Sequence, residues 1–180
     1  MIDDQTLLAQ ARRLEPDALA EIHERYYGPI FRYVVFRLSN PDLAEDVTSE
    51  VFVRFLSALR DHRAPQNNLK GWLFSVAARV VADHYRQQYR HPQQALSETA
   101  VSTDDDPADI VADHLTWDRV AKALGELTPE QQEAIALRFG EDLSIRDAAQ
   151  IMGKSEGAIK QLQTRAVAML TRRLAGAREG

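Results

Sequence analysis

Cysteine is absent from this chain of 180 residues. The absence excludes disulfides, thiolate nucleophiles and cysteine-ligated zinc within the chain, and it is typical of a reducing compartment. Glycine and proline are sparse, with 8 and 7 residues, and no segment alternates apolar and polar residues between turn signals. Candidate strands are therefore missing, and the sequence predicts an all-α fold.

The sequence also lacks a long apolar run and a leader pattern. No stretch is long enough to cross a bilayer, and the acidic start of the chain does not have the basic and then apolar layout of a secretion signal. We expect a cytoplasmic protein without membrane insertion.

The motifs of enzyme chemistry are missing as well. The five histidines form no metal-ligand spacing, and there is no glycine-rich phosphate loop. We therefore predict no catalytic residue, no metal site and no cofactor, and an enzyme is the least favoured class of protein.

A change of composition divides the chain into two helical modules. Residues 1–91 contain four amphipathic patterns; we expect the second to begin with Asp17 as its cap and to kink or break at Gly28-Pro29, and the third to bury Leu56. Residues 98–118 then carry seven acids and neither lysine nor arginine. This composition predicts an acidic flexible linker over residues 92–113, followed by a second small domain over residues 114–180.

The charge is distributed unevenly along the chain. The net charge of -5 lacks the basic balance of a general nucleic-acid coat, so any DNA contact must come from local patches. Two segments supply them. Residues 69–91 hold four bases and one acid, and residues 154–178 hold six bases and one acid.

A helix-turn-helix pattern lies in the second basic segment and the residues before it. Ser144 and Ser155 are predicted caps of two successive helices, and Gly153 permits the sharp turn between them. The second helix leaves a polar face suited to a major groove. Its candidate DNA-binding residues are Lys154, Ser155, Glu156, Ala158, Lys160, Gln161, Gln163, Thr164 and Arg165. A plain αα-hairpin with a solvated basic face would have the same pattern.

Both modules resemble the bacterial sigma factor family. The second resembles region 4, from Leu127-Thr128-Pro129-Glu130-Gln131 through Met152-Gly153-Lys154-Ser155 to Arg165-Ala166, and Thr128 with Gln131 predicts a capping box. The first resembles region 2, in the segments Asp42 to Phe55 and Leu69 to Arg86. The chain has no room for the further domains of other sigma classes, so it is identified as a member of the extracytoplasmic-function (ECF) subgroup.

The resemblance implies a promoter-reading subunit of RNA polymerase. It places contacts to the clamp of the largest polymerase subunit at Asp42, Glu45, Asp46, Glu50, Phe52 and Arg54. It places −10 DNA contacts at His62, Arg63, Asn67, Asn68, Lys70, Trp72, Arg79, Asp83, His84, Arg86 and Arg90. The loop from His62 to Asn68 is where relatives capture a flipped base, and the helix-turn-helix reads the −35 element.

Further partners follow from the same resemblance. We expect contact with the flap of the second-largest polymerase subunit, and an anti-sigma factor that restrains the protein and holds it at the membrane. We also hypothesise that the acids from Asp104 to Asp113 mimic nucleic-acid charge inside the polymerase.

Elementary chemistry is compatible with these roles. The outward charged face of residues 42–54 can meet a basic partner, and basic groups interleaved with rings can hold unpaired DNA, although Trp72 is favoured as a core residue. Two other classes remain open. A repressor would dimerise through its N-terminal helices and bind a palindrome without polymerase, and an interaction protein would bind only proteins.

Overall fold

The structure is a computed structural model, and it describes residues 2–90 and 118–176. The chain divides into two compact units, Met1–Glu98 and Thr99–Gly180. Within the described ranges every regular element is helical, which confirms the all-α prediction. No helix in these ranges is long and apolar enough to span a bilayer. The predicted linker, residues 92–113, and both predicted domain boundaries lie outside the described residues.

The first unit is a bundle of four helices. They are α1 (Asp4–Ala11), α2 (Pro16–Leu38), α3 (Pro41–Arg60) and α4 (Leu69–Arg90). Helices α2, α3 and α4 each contact the other two, and α1 lies on α2 and α4. Buried apolar side chains fill the centre, where the rings of Tyr33 and Phe74 meet edge to face at 5.6 Å.

Helix α2 differs from its prediction in two ways. It begins two residues earlier, with Glu15 in the cap position and Pro16 at its first position, and Asp17 lies in the first turn instead of capping it. It also runs without interruption through Gly28 and Pro29, so the helix does not break there, and the predicted kink at this step stays a prediction. Proline removes one backbone donor, but its neighbours Tyr26 and Ile30 are buried, and this packing keeps the helix continuous.

Side-chain caps define the starts of α3 and α4. The Oδ1 atom of Asn40 accepts a hydrogen bond from the Leu43 backbone N–H at 3.2 Å and so caps α3. The Oδ1 atom of Asn68 accepts from the Gly71 N–H at 3.0 Å. A Cβ atom on residue 71 would lie 2.5 Å from the Asn68 Nδ2 atom, so glycine allows this close approach.

The second unit contains shorter helices. Residues 118–125 are helical and are labelled α5. They are followed by α6 (Pro129–Ile135), a π-helical turn (Ala136–Gly140), α7 (Ile145–Met152) and α8 (Glu156–Ala175). The predicted capping box is present, because Thr128 and Gln131 each accept from the other's backbone N–H, at 3.2 and 3.1 Å.

Helices α7 and α8 form the predicted helix-turn-helix. Ser144 caps α7 by accepting from the Asp147 N–H at 3.0 Å, and Ser155 caps α8 by accepting from the Ala158 N–H at 3.1 Å. Gly153 lies between them in the left-handed region, with φ of 62°. Ala148 and Ile159 are fully buried where the two helices pack.

Candidate nucleic-acid and protein interfaces

The outward face of α3 is acidic. Asp42, Glu45, Asp46 and Glu50 are all exposed, and the first of them lies in the first turn, where the helix dipole favours a negative charge. Arg54 is exposed as well, but its guanidinium is paired with Glu50 at 2.6 Å. The net field of this face is therefore negative and suits a basic partner.

The apolar residues that are exposed on the α3 face are not the ones that were predicted. Phe52 is only 8% exposed, and its ring lies against those of His23 and Tyr27, so it packs inside the bundle. Leu56, which was predicted to be buried, is 37% exposed, and Val53 is 60% exposed. Val53 falls outside the inward apolar stripe, which is the signal by which the sequence could have identified it.

A groove between α3 and α4 brings parts of both predicted contact sets together. Its volume is about 420 Å³, and Leu43, Val47 and Val80 are apolar members of its lining. The charged or polar members are Asp46, Glu50, Arg54, Asp83, His84, Arg86, Gln87 and Arg90.

An ion pair between Arg54 and Asp83 crosses this groove from α3 to α4. The Arg54 guanidinium lies 4.0 Å from the Asp83 carboxylate, which pairs with Arg86 at 2.7 Å. These side chains are all partly solvated, so each pair contributes only about 0–1 kcal/mol. The Nε2 atom of His84 is buried and has no hydrogen-bond partner among the described residues.

The loop after α3 is held close to the helix end. His62 has φ of 56°, and its N–H donates to the Leu59 carbonyl while the Arg63 N–H donates to that of Ala58. This is a Schellman arrangement, in which a left-handed residue ends the helix. His62, Arg63, Asn67 and Asn68, which were predicted to contact DNA, are exposed, and the Asn68 side chain also caps α4.

Helix α4 presents a basic outer surface with few accessible rings. Arg79, Arg86 and Arg90 are exposed, Asp83 and His84 are partly exposed, and Lys70 is half-buried. The Trp72 ring is half-buried against Phe55, with centroids 5.6 Å apart, so the preference for core packing is met only in part.

The other rings of α4 have three different environments. Phe74 is fully buried, and the Tyr85 hydroxyl donates to the Arg37 carbonyl. Tyr89, which was not among the predicted site residues, is 88% exposed beside the two terminal arginines.

The start of α8 presents the predicted polar face. Ser155, Glu156, Lys160, Gln161, Thr164 and Arg165 are exposed, whereas Lys154, Ala158 and Gln163 are half-buried. The Lys154 ammonium is paired with Glu130 at 2.7 Å, and the Thr164 hydroxyl donates to the Lys160 carbonyl at 2.9 Å. Lys160, Gln161 and Arg165 therefore form the most accessible part of this face.

An apolar residue missed by the sequence analysis lies beside this face. Phe139 is 64% exposed and, with Lys160, Gln163, Thr164, Val167 and Ala168, lines a shallow groove of about 690 Å³. Its exposure arises from the π-helical turn, which changes the helical phase after Ile135 and leaves Leu137 fully buried instead.

Both modules match known family models. Residues 22–91 match sigma-70 region 2, and residues 123–171 match sigma-70 region 4. Helix α1 lies outside both matched segments.

Curated relatives extend the similarity over most of the chain. The ECF RNA polymerase sigma factor BldN of Streptomyces coelicolor is 35% identical over 170 residues, which are 93% of this chain and 64% of BldN. The chain thus spans less than two thirds of that relative. The ECF RNA polymerase sigma factor EcfG of Rhodopseudomonas palustris is 31% identical over 159 residues, which are 88% of this chain and 83% of EcfG.

Solved structures show the same similarity. CnrH in complex with the cytosolic domain of CnrY superposes with a TM-score of 0.74 at 25% identity, covering 96% of this chain and 97% of CnrH. The sigma factor RpoE of Bartonella quintana, in complex with the anti-sigma factor NepR, gives a TM-score of 0.69 at 26% identity, covering 87% and 96%.

Proposed function

This chain belongs to the ECF sigma factors of the sigma-70 family, and we propose from that premise that it binds core RNA polymerase and directs initiation at promoters with −10 and −35 elements. The observation that carries the proposal is the occurrence of region 2 and region 4, in that order, in one chain. We assign the working domains to residues 1–91 and 114–180, with residues 92–113 as linker. The chain itself is not an enzyme, because catalysis belongs to the polymerase.

The α3 face is the proposed contact with the clamp of the largest polymerase subunit. Its acids supply complementarity to a basic surface, and the exposed Val53 and Leu56 supply the apolar centre that a stable interface needs. Phe52 supports this face from within the bundle, since its ring is covered by α2.

The loop of residues 62–68 and helix α4 are the proposed −10 reader. Arg79, Arg86 and Arg90 are placed to neutralise phosphates, and Tyr89 offers a ring on which an unpaired base can stack. His62, Arg63 and Asn67 extend from the loop and offer polar groups to a captured base.

Helix α8 is the proposed −35 reader. Lys160, Gln161 and Arg165 lie in its N-terminal half, in the position from which a recognition helix reads base edges in the major groove. The same module is proposed to meet the flap of the second-largest polymerase subunit.

We further propose restraint by an anti-sigma factor. The solved relatives include an RpoE bound to NepR and a CnrH bound to the cytosolic domain of CnrY, and this chain shares their fold. The proposed location of this chain is the cytoplasm, and the anti-sigma factor can hold it at the membrane.

Affinity for core polymerase tests the proposal at the α3 face. The variants Glu45→Lys and Val53→Ser change an exposed charge and an exposed apolar group, and each is expected to weaken core binding by about tenfold. Glu24→Lys is the matched control, because Glu24 is an exposed acid on α2. Absence of core binding by the unmodified chain, with tight binding to a duplex palindrome, would instead identify a repressor.

A further inference from the structure

Helix α1 has no assigned role, yet it is firmly anchored. Asp3 caps it by accepting from the N–H groups of Gln5 and Thr6, both at 3.0 Å. Asp4 then pairs with Arg25 of α2 at 2.9 Å and accepts a hydrogen bond from the Tyr26 hydroxyl. On its inner side Leu7, Leu8 and Ala11 are buried. The last turn of α1 is therefore a fixed point from which a side chain can act.

Arg12 extends from this fixed point to the loop after α3. Its guanidinium donates to the Ala64 carbonyl at 3.3 Å, a partly buried contact between residues 52 positions apart. Ala64 is itself 7% exposed, and its N–H donates to the Ala58 carbonyl at 3.0 Å. The N–H of Ala64 is thus bonded to α3, and its carbonyl is bonded to the residue that follows α1.

The orientation of the Ala64 carbonyl determines the backbone direction of the rest of the loop. It belongs to the peptide bond before Pro65, whose ring fixes φ. Orienting this peptide therefore directs residues 66 and 67 outward, before Asn68 closes the loop by capping α4. Without Arg12 the Ala64 carbonyl loses a charged hydrogen-bond donor. The conformation of Gln66 and Asn67 is then determined only by the residues that flank this segment.

We propose that Arg12 is a positioning residue for −10 recognition, holding the loop of residues 62–68 in the shape that takes up an unpaired promoter base. The inference rests on the proposed function, because it assigns a support to the −10 reader. It gives α1, which lies outside both family matches, a part in promoter choice that does not involve contact with DNA.

Initiation by the reconstituted holoenzyme on a promoter panel tests this inference. The panel varies each base of the −10 non-template strand, and the readout is the ratio between the best and the worst base at each position. Arg12→Met keeps the apolar stem and removes the donor. We expect the largest ratio to fall by about tenfold, the size of one lost hydrogen bond to a charged donor, with core affinity unchanged.

Two further variants make the result specific. Arg13→Met is the matched control, because the Arg13 side chain is exposed and pairs only locally with Glu15 at 2.7 Å. It should keep the wild-type ratio. Arg12→Gln keeps a polar side chain that is too short to reach the Ala64 carbonyl, and it should also lower the ratio, even if Arg12→Met does not fold.

The outcomes separate this inference from the proposed function. A wild-type ratio in Arg12→Met, or an equal fall in Arg13→Met, overturns the role of Arg12 alone. If Arg12→Met is unfolded, a wild-type ratio in Arg12→Gln overturns it. Initiation by the unmodified factor that ignores every −10 base would overturn the −10 role itself.

Discussion

Individual buried polar groups affect the stability of the first unit in ways that its amino-acid composition does not reveal. Thr48 of α3 is fully buried, and its hydroxyl has no hydrogen-bond partner in the described part of the chain. A buried hydroxyl without a partner costs about 1–3 kcal/mol relative to a paired one. Thr48 is therefore a position where the sequence is not optimal for stability.

Replacing Thr48 with valine should stabilise the protein. Thr48→Val keeps the branched shape and removes the unpaired hydroxyl, so we expect the free energy of unfolding to rise by about 1–2 kcal/mol. Denaturant unfolding measures this change. Thr48→Ser is the control: it keeps the hydroxyl, loses the methyl group and should destabilise. No gain in Thr48→Val would mean that the hydroxyl finds a partner.

Tyr26 predicts a pH dependence of stability. Burial, followed by its hydrogen bond to Asp4, raises the pKa of the Tyr26 phenol above its ordinary value near 10. A raised pKa in the folded state means that the stabilisation is complete below pH 10 and is lost as the pH rises above it, because the unfolded chain ionises first.

The variant Tyr26→Phe isolates this effect. At pH 8 it should be less stable than the wild type by about 1 kcal/mol, the contribution of one hydrogen bond. Between pH 10 and 11 the difference should shrink by about 1 kcal/mol, because only the wild type has this group to ionise. A difference that stays constant across that range would argue against a protonated, buried Tyr26.

At the scale of the element, most helix starts were predictable, with the cap at Asp17 as the exception, and helix interiors were less so. The caps at Asn40, Thr128, Ser144 and Ser155 follow from short-range rules, and all four are present. Of the kink or break predicted at Gly28-Pro29, the break does not occur, because packing against other helices outweighs a local breaker. Leu56 and Phe139 were not recognised as exposed because their environment depends on neighbouring elements.

Gly71 tests how one helix start depends on a close approach. Gly71→Ala places a methyl group against the Asn68 side chain and should displace the cap of α4. Gly157→Ala is a matched control near the start of α8, where a Cβ atom meets only the Ser155 Oγ atom at 4.0 Å. We expect Gly71→Ala to be the less stable of the two by about 1 kcal/mol in denaturant unfolding. Equal stabilities would show that the Asn68 cap contributes little.

At the scale of the whole molecule, the family could be predicted from the sequence more completely than the exposure of individual side chains. The order of two modules was readable from motifs such as Thr128-Pro129-Glu130-Gln131, because these residues make local turns and caps. Which apolar side chains the bundle covers was readable only in part. Val53 is exposed, as its place outside the inward apolar stripe indicates, whereas the covering of Phe52 by rings from α2 depends on the packed bundle.

The most direct test of the central claim is initiation by core RNA polymerase on a library of genomic promoter fragments, with and without this chain. We expect the chain to direct initiation at sites that share spaced −35 and −10 elements. Lys160→Ala and Arg165→Ala should each reduce it by about tenfold or more, whereas Arg172→Ala, in the last turn of α8, should not. Initiation that does not depend on the chain, or that is unaffected by these substitutions, would contradict the account.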